Sequence, residues 1–405
     1  MAVDKLNVLI KYARDEILVG QLVLDGRTIL FKYSEEYLER GSNLSPHKLD
    51  FDNNIQSNTA IPFKGLYGVF ADSLPDAWGQ LLMKKHLSKK GIAIETLNVL
   101  DHLAFVGSNG LGALLYKPMM SNEEIDKKEV DLDFLDKSVE EILEGEPSQI
   151  IDELFEKGGS PGGARPKIYA SYNPSTDSLI YGSSTPDKGY EHWIIKFATT
   201  IDSSDIANVE LAYYLMARDA GIEMTECKLF TGESGKKYFG TKRFDRIGNN
   251  RLHMLSAAGL LHDDYEHSQL DYGHLIYQGR ELTGSAEVHE QVLRLAAFNV
   301  FAHNRDDHSK NFAFLMDEGG QWKFAPAYDL TFSSSSQGQH STTCGGNGSD
   351  PGSKELFELA DQFSIRNGKA IIEQVQNTIS NWNQYAERAE VSKASRKLIG
   401  KVIRR

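Results

Sequence analysis

The sequence is poor in cysteine and lacks any long hydrophobic run. Only 2 cysteines, Cys227 and Cys344, occur among 405 residues, which excludes a disulfide framework and a cysteine-rich zinc site. No stretch approaches about 18 consecutive apolar residues, so no transmembrane helix is expected. The N-terminus lacks the charged and apolar regions of a secretory signal. We therefore expect a cytoplasmic globular protein that has no membrane partner.

An excess of positive charge is also missing. The 44 basic and 57 acidic residues give a net charge of -13, whereas obligate nucleic-acid binders usually carry a basic footprint. Residues 121–146 alone hold 11 acidic residues against 3 lysines. We expect this segment to be a solvated helix and linker, with a docking surface for a basic partner as the alternative. The basic clusters at 84–90 and 396–405 are expected to be solvated faces.

Phosphoryl transfer is the chemistry that the most informative segment predicts. Asp306 and Asn311 are five residues apart in a polar loop between an apolar helix and an apolar strand, which is the spacing of the catalytic Asp and the metal-binding Asn in protein kinases. A hairpin then returns the chain to Asp329, which occupies the position of the second kinase metal ligand. Carboxylate and amide oxygens suit Mg²⁺. The alternative is a capped, solvated loop.

The upstream half of the chain supplies further kinase features in order. The glycine-rich turn Gly158–Gly163 does not match the Walker pattern but allows backbone amides to approach phosphates. Lys196 follows in an apolar strand, where its charge is costly unless it is used. Glu210, on the next predicted helix, is the expected partner of Lys196. The alternative for Lys196 is an edge-strand lysine whose ammonium reaches solvent.

A zinc site is not expected in this segment. His303 and His308 have the spacing of a zinc finger's histidine pair, but no cysteine pair precedes them.

With these motifs in place, the chain resembles the HipA-family serine/threonine kinases, the toxins of bacterial type II toxin–antitoxin systems. The similarity covers most of the chain. The motifs that carry it in the N-terminal part are Phe31-Lys32-Tyr33, Phe70-Ala71-Asp72-Ser73-Leu74-Pro75-Asp76 and Val106-Gly107 with Gly110-Leu111-Gly112-Ala113. Those in the remainder are Ser160-Pro161-Gly162-Gly163-Ala164-Arg165-Pro166-Lys167, Lys196, Arg243-Phe244-Asp245-Arg246, Asp306-Asp307-His308-Ser309-Lys310-Asn311-Phe312 and Tyr328-Asp329.

The resemblance implies an α+β, kinase-like two-lobe fold. The predicted segments are a HipA N-terminal α+β subdomain over 1–120, an acidic helix and linker over 121–150, a β-rich nucleotide-binding lobe over 151–250 and a mostly helical catalytic lobe over 251–405.

The resemblance also assigns the catalytic and phosphate-binding residues. It implies that Asp306 is the catalytic base and that Asn311 and Asp329 hold Mg²⁺. Lys196 would contact the phosphates of ATP, and His308 would lie near them.

Nucleotide contacts outside the catalytic loop are implied in the same way. The stretch from Lys242 to Phe244 would be the hinge whose backbone binds adenine, and Asp245 would lie near the ribose. Lys167 would close the glycine loop.

The glycine loop itself is expected to carry a regulatory serine. Gly162 and Gly163 would approach the nucleotide, and Ser160 would be the autophosphorylated residue that displaces the loop. Two residues depart from the family pattern at this site, namely Arg165, where Gln is usual, and Pro161 directly after the serine.

The implied activity is ATP- and Mg²⁺-dependent phosphorylation of a protein on serine or threonine, with growth arrest as its consequence. The expected target is an aminoacyl-tRNA synthetase, and the expected partner is a helix-turn-helix antitoxin of HipB type. DNA would be contacted only through that antitoxin. Two alternatives remain open at this stage: a small-molecule phosphotransferase related to aminoglycoside and choline kinases, and a non-catalytic corepressor partner of a DNA-binding antitoxin.

Overall fold

The computed structural model describes residues 3–13, 15–59, 61–120, 128–146, 148, 150–158, 163–181, 188–335 and 338–403. The chain forms two compact units. The first comprises residues 1–202, 230–255 and 316–320, and the second comprises residues 203–229, 256–315 and 321–405. The segment 203–229 therefore belongs with the second unit, although the predicted boundary placed it in the β-rich lobe. None of the described helices is long and apolar enough to span a membrane.

The first unit contains helices, a five-stranded sheet, a six-stranded sheet and a two-stranded sheet. Its helices are α1 (Glu35–Arg40), α2 (Gly68–Ala71), α3 (Ala77–Lys89), α4 (Val99–Val106), α5 (Leu132–Glu144) and α6 (Ile151–Gly158). Its strands are β1 (Lys5–Lys11), β2 (Glu16–Asp25), β3 (Thr28–Tyr33), β4 (Gln56–Ser57), β5 (Leu114–Lys117), β6 (Lys128–Glu129), β7 (Lys167–Asn173), β8 (Ser178–Tyr181), β9 (Glu191–Lys196), β10 (Cys227–Thr231, which begins in residues assigned to the second unit), β11 (Lys237–Lys242), β12 (Arg246–Ile247), β13 (Asn250–Arg251) and β14 (His253–Ser256).

The N-terminal sheet has the order β4-β3-β2-β1-β5. Strands β2 and β3 meet at a two-residue turn in which Asp25 pairs with Thr28, and Gly26 adopts a φ of 62° that favours glycine. An Asp-Gly pair between two apolar runs indicates a hairpin, and the structure forms one there. The apolar spacing after Asp76 indicates a helix, and this helix is α3, with Asp76 at its N-cap.

The second sheet of this unit has the order β10-β11-β9-β7-β8-β6. One face is apolar: Trp193 and Ile195 of β9 and Ile168 of β7 are buried in a common core. Successive residues of a strand alternate between faces, so Lys196, next to Ile195, lies on the opposite face. Strand β9 lies between β11 and β7, which rules out the edge-strand interpretation of Lys196.

The acidic segment is integrated into the first unit rather than being a solvated linker. Helix α5 buries Leu135, Val139 and Ile142 in the core beneath the second sheet, while its acidic residues mostly occupy the remaining positions. Asp133 accepts hydrogen bonds from the hydroxyl of Tyr238 and from Ser234 Oγ, each at 2.8 Å. The helix was predicted correctly, but the linker interpretation is wrong over 128–146 because an apolar stripe at helical spacing anchors the helix.

The second unit is mostly helical, as predicted for the C-terminal lobe. Its helices are α7 (Ile206–Asp219), α8 (Ala257–Leu261), α9 (Tyr272–Thr283), α10 (Glu287–Phe301), α11 (Ser353–Gln362), α12 (Gly368–Ser380), α13 (Trp382–Arg388) and α14 (Lys393–Val402), and its hairpin strands are β15 (Ala313–Met316) and β16 (Trp322–Phe324). Helix α7 joins this unit through side chains at both ends. Asn208 Nδ2 donates to the carbonyl of Ala389 at 2.8 Å, and Tyr385 donates to Asp219 at 2.9 Å.

Candidate active site

The loop of residues 305–311, which follows helix α10 and is called the 305–311 loop here, brings three predicted site residues together. The side-chain amide of Asn311 donates a hydrogen bond to the backbone carbonyl of Asp306 at 2.7 Å. His308 Nε2 lies 4.0 Å from Asp306 Oδ1, and the Asp306 side chain is 61% exposed. The loop therefore holds an accessible carboxylate beside an imidazole, and the bond through the Asn311 nitrogen leaves the Asn311 oxygen as its metal-binding atom.

Asp329 returns to this loop as the sequence predicts. Strands β15 and β16 form the hairpin, and Tyr328 then donates from its hydroxyl to the carbonyl of Lys310 at 2.6 Å. On the other side of Asp329, the amide of Ser333 donates to the carbonyl of His303, and the amide of Arg305 donates to the carbonyl of Ser333, each at 3.1 Å. Residues on both sides of Asp329 are thus hydrogen-bonded to the 305–311 loop or to His303, which lies just before it.

The backbone of Asp329 is in an unusual conformation. Its φ is 54°, in the left-handed region that non-glycine residues visit rarely and that is enriched at functional sites. Surrounding structure must hold such a residue in place, and the hydrogen bonds of Tyr328 and Ser333 do so. The conformation sets the direction of the Asp329 side chain.

The environment of His308 is partly aromatic. Its ring lies 5.7 Å from the ring of Tyr265, and the ammonium of Lys310 lies 4.3 Å from the same Tyr265 ring. Within the described part of the chain, Nδ1 of His308 is buried and has no hydrogen-bond partner. At 4.0 Å the Asp306–His308 contact is longer than a hydrogen bond.

The side-chain oxygens of Asn311 and Asp329 suit an Mg²⁺ ion that takes its other ligands from a nucleotide. Among the described residues, no three His, Cys, Asp or Glu side chains converge in a way that could hold a metal. Mg²⁺ is usually bound by one or two carboxylates together with substrate phosphates, rather than by a complete protein cage. One carboxylate, Asp329, and one amide oxygen, Asn311, fit that pattern.

The first unit places two lysines directly opposite each other. Lys167 of β7 pairs with Lys196 of β9 across the antiparallel ladder, so both side chains leave the same face of the sheet. The ammonium of Lys196 lies 5.4 Å from the ring centroid of Phe239. Both ammonium groups can therefore reach a common ligand above this face of the sheet.

Lys167 also contacts the end of the glycine-rich segment. Its side chain is buried, and a Cβ added at Gly163 would lie 2.7 Å from its ammonium nitrogen. Gly163 has a φ of 89°, and its amide donates to the carboxylate of Asp76. Glycine is therefore favoured at this position by its backbone conformation, and the lysine ammonium lies close to it. Ser160 and Gly162 lie outside the described residues.

The predicted hinge follows strand β11. Lys242 is the last residue of that strand, and its ammonium bonds Glu191 at 2.6 Å. The amide of Arg243 donates to the carbonyl of His192 at 2.9 Å, and Phe244 is half-buried. Adenine binding by this backbone stays a prediction. The same holds for the pairing of Lys196 with Glu210, which is buried on α7 of the second unit.

Asp245 differs from the sequence expectation. It is 1% exposed, and both carboxylate oxygens are engaged: Arg243 donates at 2.9 and 2.7 Å, Arg246 at 2.7 Å and the amide of Gly112 at 2.7 Å. Burial opposes its charge, but Arg243 and Arg246 outweigh that effect and hold the pKa of the carboxyl well below its usual range. A carboxylate enclosed in this way does not reach a ribose. The burial of Asp245 therefore argues against the predicted contact between Asp245 and the ribose of the nucleotide.

Asp245 is the centre of a charge cluster that includes Arg243, Arg246 and the nearby Arg251. The carbonyl of Gly110 accepts from Arg246 at 3.1 Å, and the carbonyl of Ser108 accepts from Arg251 at 3.0 Å. The turn over residues 108–112 is therefore fixed to the segment that follows the predicted hinge. Burial first, and then the positive charges of Arg243 and Arg246, lower the pKa of nearby His192 to about 3, so this histidine is neutral at pH 7.

Comparison with known proteins identifies the family. The model of the HipA-like C-terminal domain matches residues 159–382, which is more than half of the chain, and that of the HipA N-terminal domain matches residues 10–117. The chain belongs to the HipA family. No curated protein matches the sequence.

Solved structures agree with the HipA assignment in fold. The HipA chain of the Shewanella oneidensis MR-1 toxin–antitoxin system, determined in complex with HipB and its operator DNA, is 18% identical, with a TM-score of 0.66 over 97% of this chain and 94% of that chain. The predicted α+β fold of HipA type is thereby confirmed. A Helicobacter pylori proinflammatory kinase, CtkA, matches at 13% identity and a TM-score of 0.36 over 59% of this chain and 92% of its own.

One residue with a central place in the site was missed in the sequence. Asp307 directly follows the predicted base, is 1% exposed and accepts a hydrogen bond from the hydroxyl of Tyr272 at 2.7 Å. Two consecutive aspartates were visible in the sequence, but nothing in their order shows which carboxylate is buried.

Proposed function

We propose that this HipA-family protein is an ATP- and Mg²⁺-dependent serine/threonine protein kinase that acts as a toxin. The observation that carries the proposal is the geometry of the 305–311 loop. Asn311 is tied to the backbone of Asp306, and Asp329 is returned to the same loop in a constrained backbone conformation. Phosphoryl transfer needs this combination of a carboxylate base and oxygen ligands for the metal.

Each residue has a role in the proposed reaction. Asp306 accepts the proton of the attacking hydroxyl, which requires the exposed carboxylate that the loop provides. Asn311 and Asp329 hold Mg²⁺, which neutralises charge on the β- and γ-phosphates when bound. His308, beside Asp306, would lie near the phosphates.

The first unit would bind the rest of the nucleotide. Lys196 and Lys167, which lie opposite each other on β9 and β7, would contact phosphates. Gly163 allows close backbone approach at the end of the glycine loop, and Gly162 and Ser160 belong to the same predicted loop. The backbone from Lys242 to Phe244 would bind adenine.

The biological partners are part of the proposal. We place the activity in the cytoplasm, with a protein target such as an aminoacyl-tRNA synthetase and growth arrest as the outcome. The partner would be a helix-turn-helix antitoxin of HipB type, and DNA would be reached only through it. The similarity in fold to a HipA that was solved with HipB and operator DNA supports this assignment.

A labelling experiment tests the proposal. Purified protein is incubated with Mg²⁺ and γ-labelled ATP, either with a bacterial lysate or with aminoglycoside and choline acceptors. We expect label on a protein, on serine or threonine, and none on the small acceptors. Transfer only to the small acceptors would favour the small-molecule kinase, and a folded protein that transfers no phosphate to any acceptor would favour the corepressor alternative.

A further inference from the structure

Asp307 is a buried carboxylate that organises two loops of the second unit. One oxygen, Oδ2, accepts from the hydroxyl of Tyr272 at 2.7 Å and bonds His340 Nδ1 at 2.9 Å. The other, Oδ1, accepts from the backbone amides of Ser341 at 2.8 Å and Thr342 at 3.3 Å. Burying a carboxylate is costly unless it is well hydrogen-bonded, and these four contacts supply that bonding.

The backbone around Asp307 is bonded to the same partner segment. The hydroxyl of Thr342 donates to the backbone carbonyl of Asp307. The amide and the hydroxyl of Ser341 donate to the carbonyl of Arg305 at 3.3 and 3.2 Å, and the Arg305 guanidinium donates to the carbonyl of Gly338. Residues 338–343, called the 338–343 segment here, therefore lie along the 305–311 loop.

A buried polar chain connects Asp307 to the helices beneath it. Tyr272, the first residue of α9, is fully buried, and its hydroxyl accepts from the amide of Asn299 of α10 at 2.9 Å. Asn304 in turn donates to the Asn299 side-chain oxygen at 3.0 Å. Hydrogen bonds in a buried network of this kind hold the groups that they join. Within the described residues, the side-chain oxygen of Asn304, at the end of this network, has no hydrogen-bond partner.

We propose that Asp307 is a positioning residue for the catalytic base, an inference that rests on the proposed kinase function. The side chain of Asp307 is held inside the unit, whereas the adjacent Asp306 side chain is 61% exposed. Fixing Asp307 fixes the backbone from which Asp306 projects, and it makes the 338–343 segment part of the support of the base. The orientation of a general base matters because misplacement by about 1 Å can cost about 10²-fold in rate.

Kinetics of matched alanine variants test this role. Asp307→Ala removes the carboxylate that accepts from the hydroxyl of Tyr272 and from the backbone amides of Ser341 and Thr342. Tyr272→Phe removes one hydroxyl while keeping its packing. The control is Glu355→Ala. Glu355 accepts from the side-chain amide of Asn347 at 3.1 Å and from the backbone amide of Gly352 at 2.8 Å, and both of these partners lie outside residues 305–308 and outside the 338–343 segment.

We expect Asp307→Ala to lower kcat by about 10²-fold with KM for ATP within twofold of wild type, and Tyr272→Phe to lower kcat by a smaller factor. Glu355→Ala should keep kcat within twofold. Equal losses of kcat in Asp307→Ala and Glu355→Ala, or an unchanged kcat in a folded Asp307→Ala protein, would overturn the proposal.

Hydrogen exchange separates this proposal from the kinase assignment. The amides of Ser341 and Thr342 should be protected in the wild-type protein and should lose at least tenfold of that protection in Asp307→Ala. If Asp307→Ala does not fold, the same loss is sought in Tyr272→Phe. Protection that persists overturns the role of Asp307 even if the protein is a kinase, whereas lost protection in a protein without kinase activity refutes only the proposed function.

Discussion

The buried cluster around Asp245 gives a prediction whose size can be worked from the structure. Asp245→Asn removes the carboxylate at the centre of the three buried arginines Arg243, Arg246 and Arg251. The carboxylate accepts four hydrogen bonds, three from arginines and one from the amide of Gly112. An asparagine has one side-chain oxygen where the aspartate has two. Its NH₂ group is a donor and would face an N–H donor that the second carboxylate oxygen accepted from.

The expected loss follows from the donors that are left without an acceptor. At least one of the four loses its acceptor, because the asparagine oxygen can take the place of Oδ2, which accepts three of the bonds, but cannot also take the place of Oδ1. Each unsatisfied buried donor costs about 1–3 kcal/mol. Removing one partner of a buried ion pair typically costs about 3–5 kcal/mol. We therefore expect Asp245→Asn to lower the free energy of unfolding of the first unit by about 3–5 kcal/mol.

Hydrogen exchange of the slowest amides in β7 and β9 measures this loss in the first unit alone. The control is Glu36→Gln, which removes an exposed i,i+4 pair with Arg40 whose side chains are 63% and 56% exposed and should cost about 0.5 kcal/mol or less. A loss below about 1 kcal/mol for Asp245→Asn, or one equal to that of the control, would refute the reasoning.

The same cluster predicts a pH dependence. Because the folded pKa of Asp245 lies below its ordinary value, its contribution to stability is complete above the unfolded pKa of roughly 4 and is lost as the pH falls from there through the folded pKa. The stability difference between wild type and Asp245→Asn should be constant between about pH 5 and 7 and should shrink below about pH 4. A difference that grows on acidification would contradict this sign.

Two further predictions concern nucleotide binding and regulation. Asn311→Ala and Asp329→Ala should each weaken Mg²⁺-dependent ATP binding at least about tenfold in calorimetry, because a magnesium ligand is lost, and wild-type affinity in Asp329→Ala would argue against the assignment. Incubation with ATP should add one phosphate at Ser160, detected by mass spectrometry, and the modified protein should bind ATP poorly because the added charge of about -1.5 to -2 repels the nucleotide phosphates. If Ser160 stays unmodified in a preparation that phosphorylates a protein substrate, the proposed regulation through Ser160 is refuted and the proposed kinase activity is not.

Turn residues and apolar periodicity in short stretches of the sequence predict several helices, one hairpin and one feature of the site. The turn at Asp25-Gly26, helix α3 and the long apolar helix α10 each have a clear periodic or turn signal. The return of Asp329 to the 305–311 loop could also be predicted, because a short apolar hairpin leaves little freedom in where the chain comes back.

Long-range partners could not be predicted in the same way. Asp245 bonds Gly112, which is 133 residues away, and the motif around it does not show that its carboxylate is buried. The choice between Asp306 and Asp307 as the exposed carboxylate depends on residues 340–342, which carry no signal in the sequence. Helix α5 carries two opposing sequence patterns. Its many carboxylates indicate a solvent-exposed helix, whereas its apolar residues at helical spacing indicate packing against a core, and the structure shows the packing.

The central claim is that Asp306 is the base of a phosphoryl-transfer reaction, and single-turnover transfer of phosphate from ATP to the labelled protein substrate tests it most directly. Asp306→Asn keeps the shape of the side chain and should lower the rate by about 10²–10⁴-fold while ATP affinity and the thermal unfolding temperature stay near wild type. Asp361→Asn, an exposed carboxylate at the end of α11, is the matched control and should transfer phosphate at the wild-type rate. A folded Asp306→Asn protein that transfers phosphate as fast as this control would contradict the account.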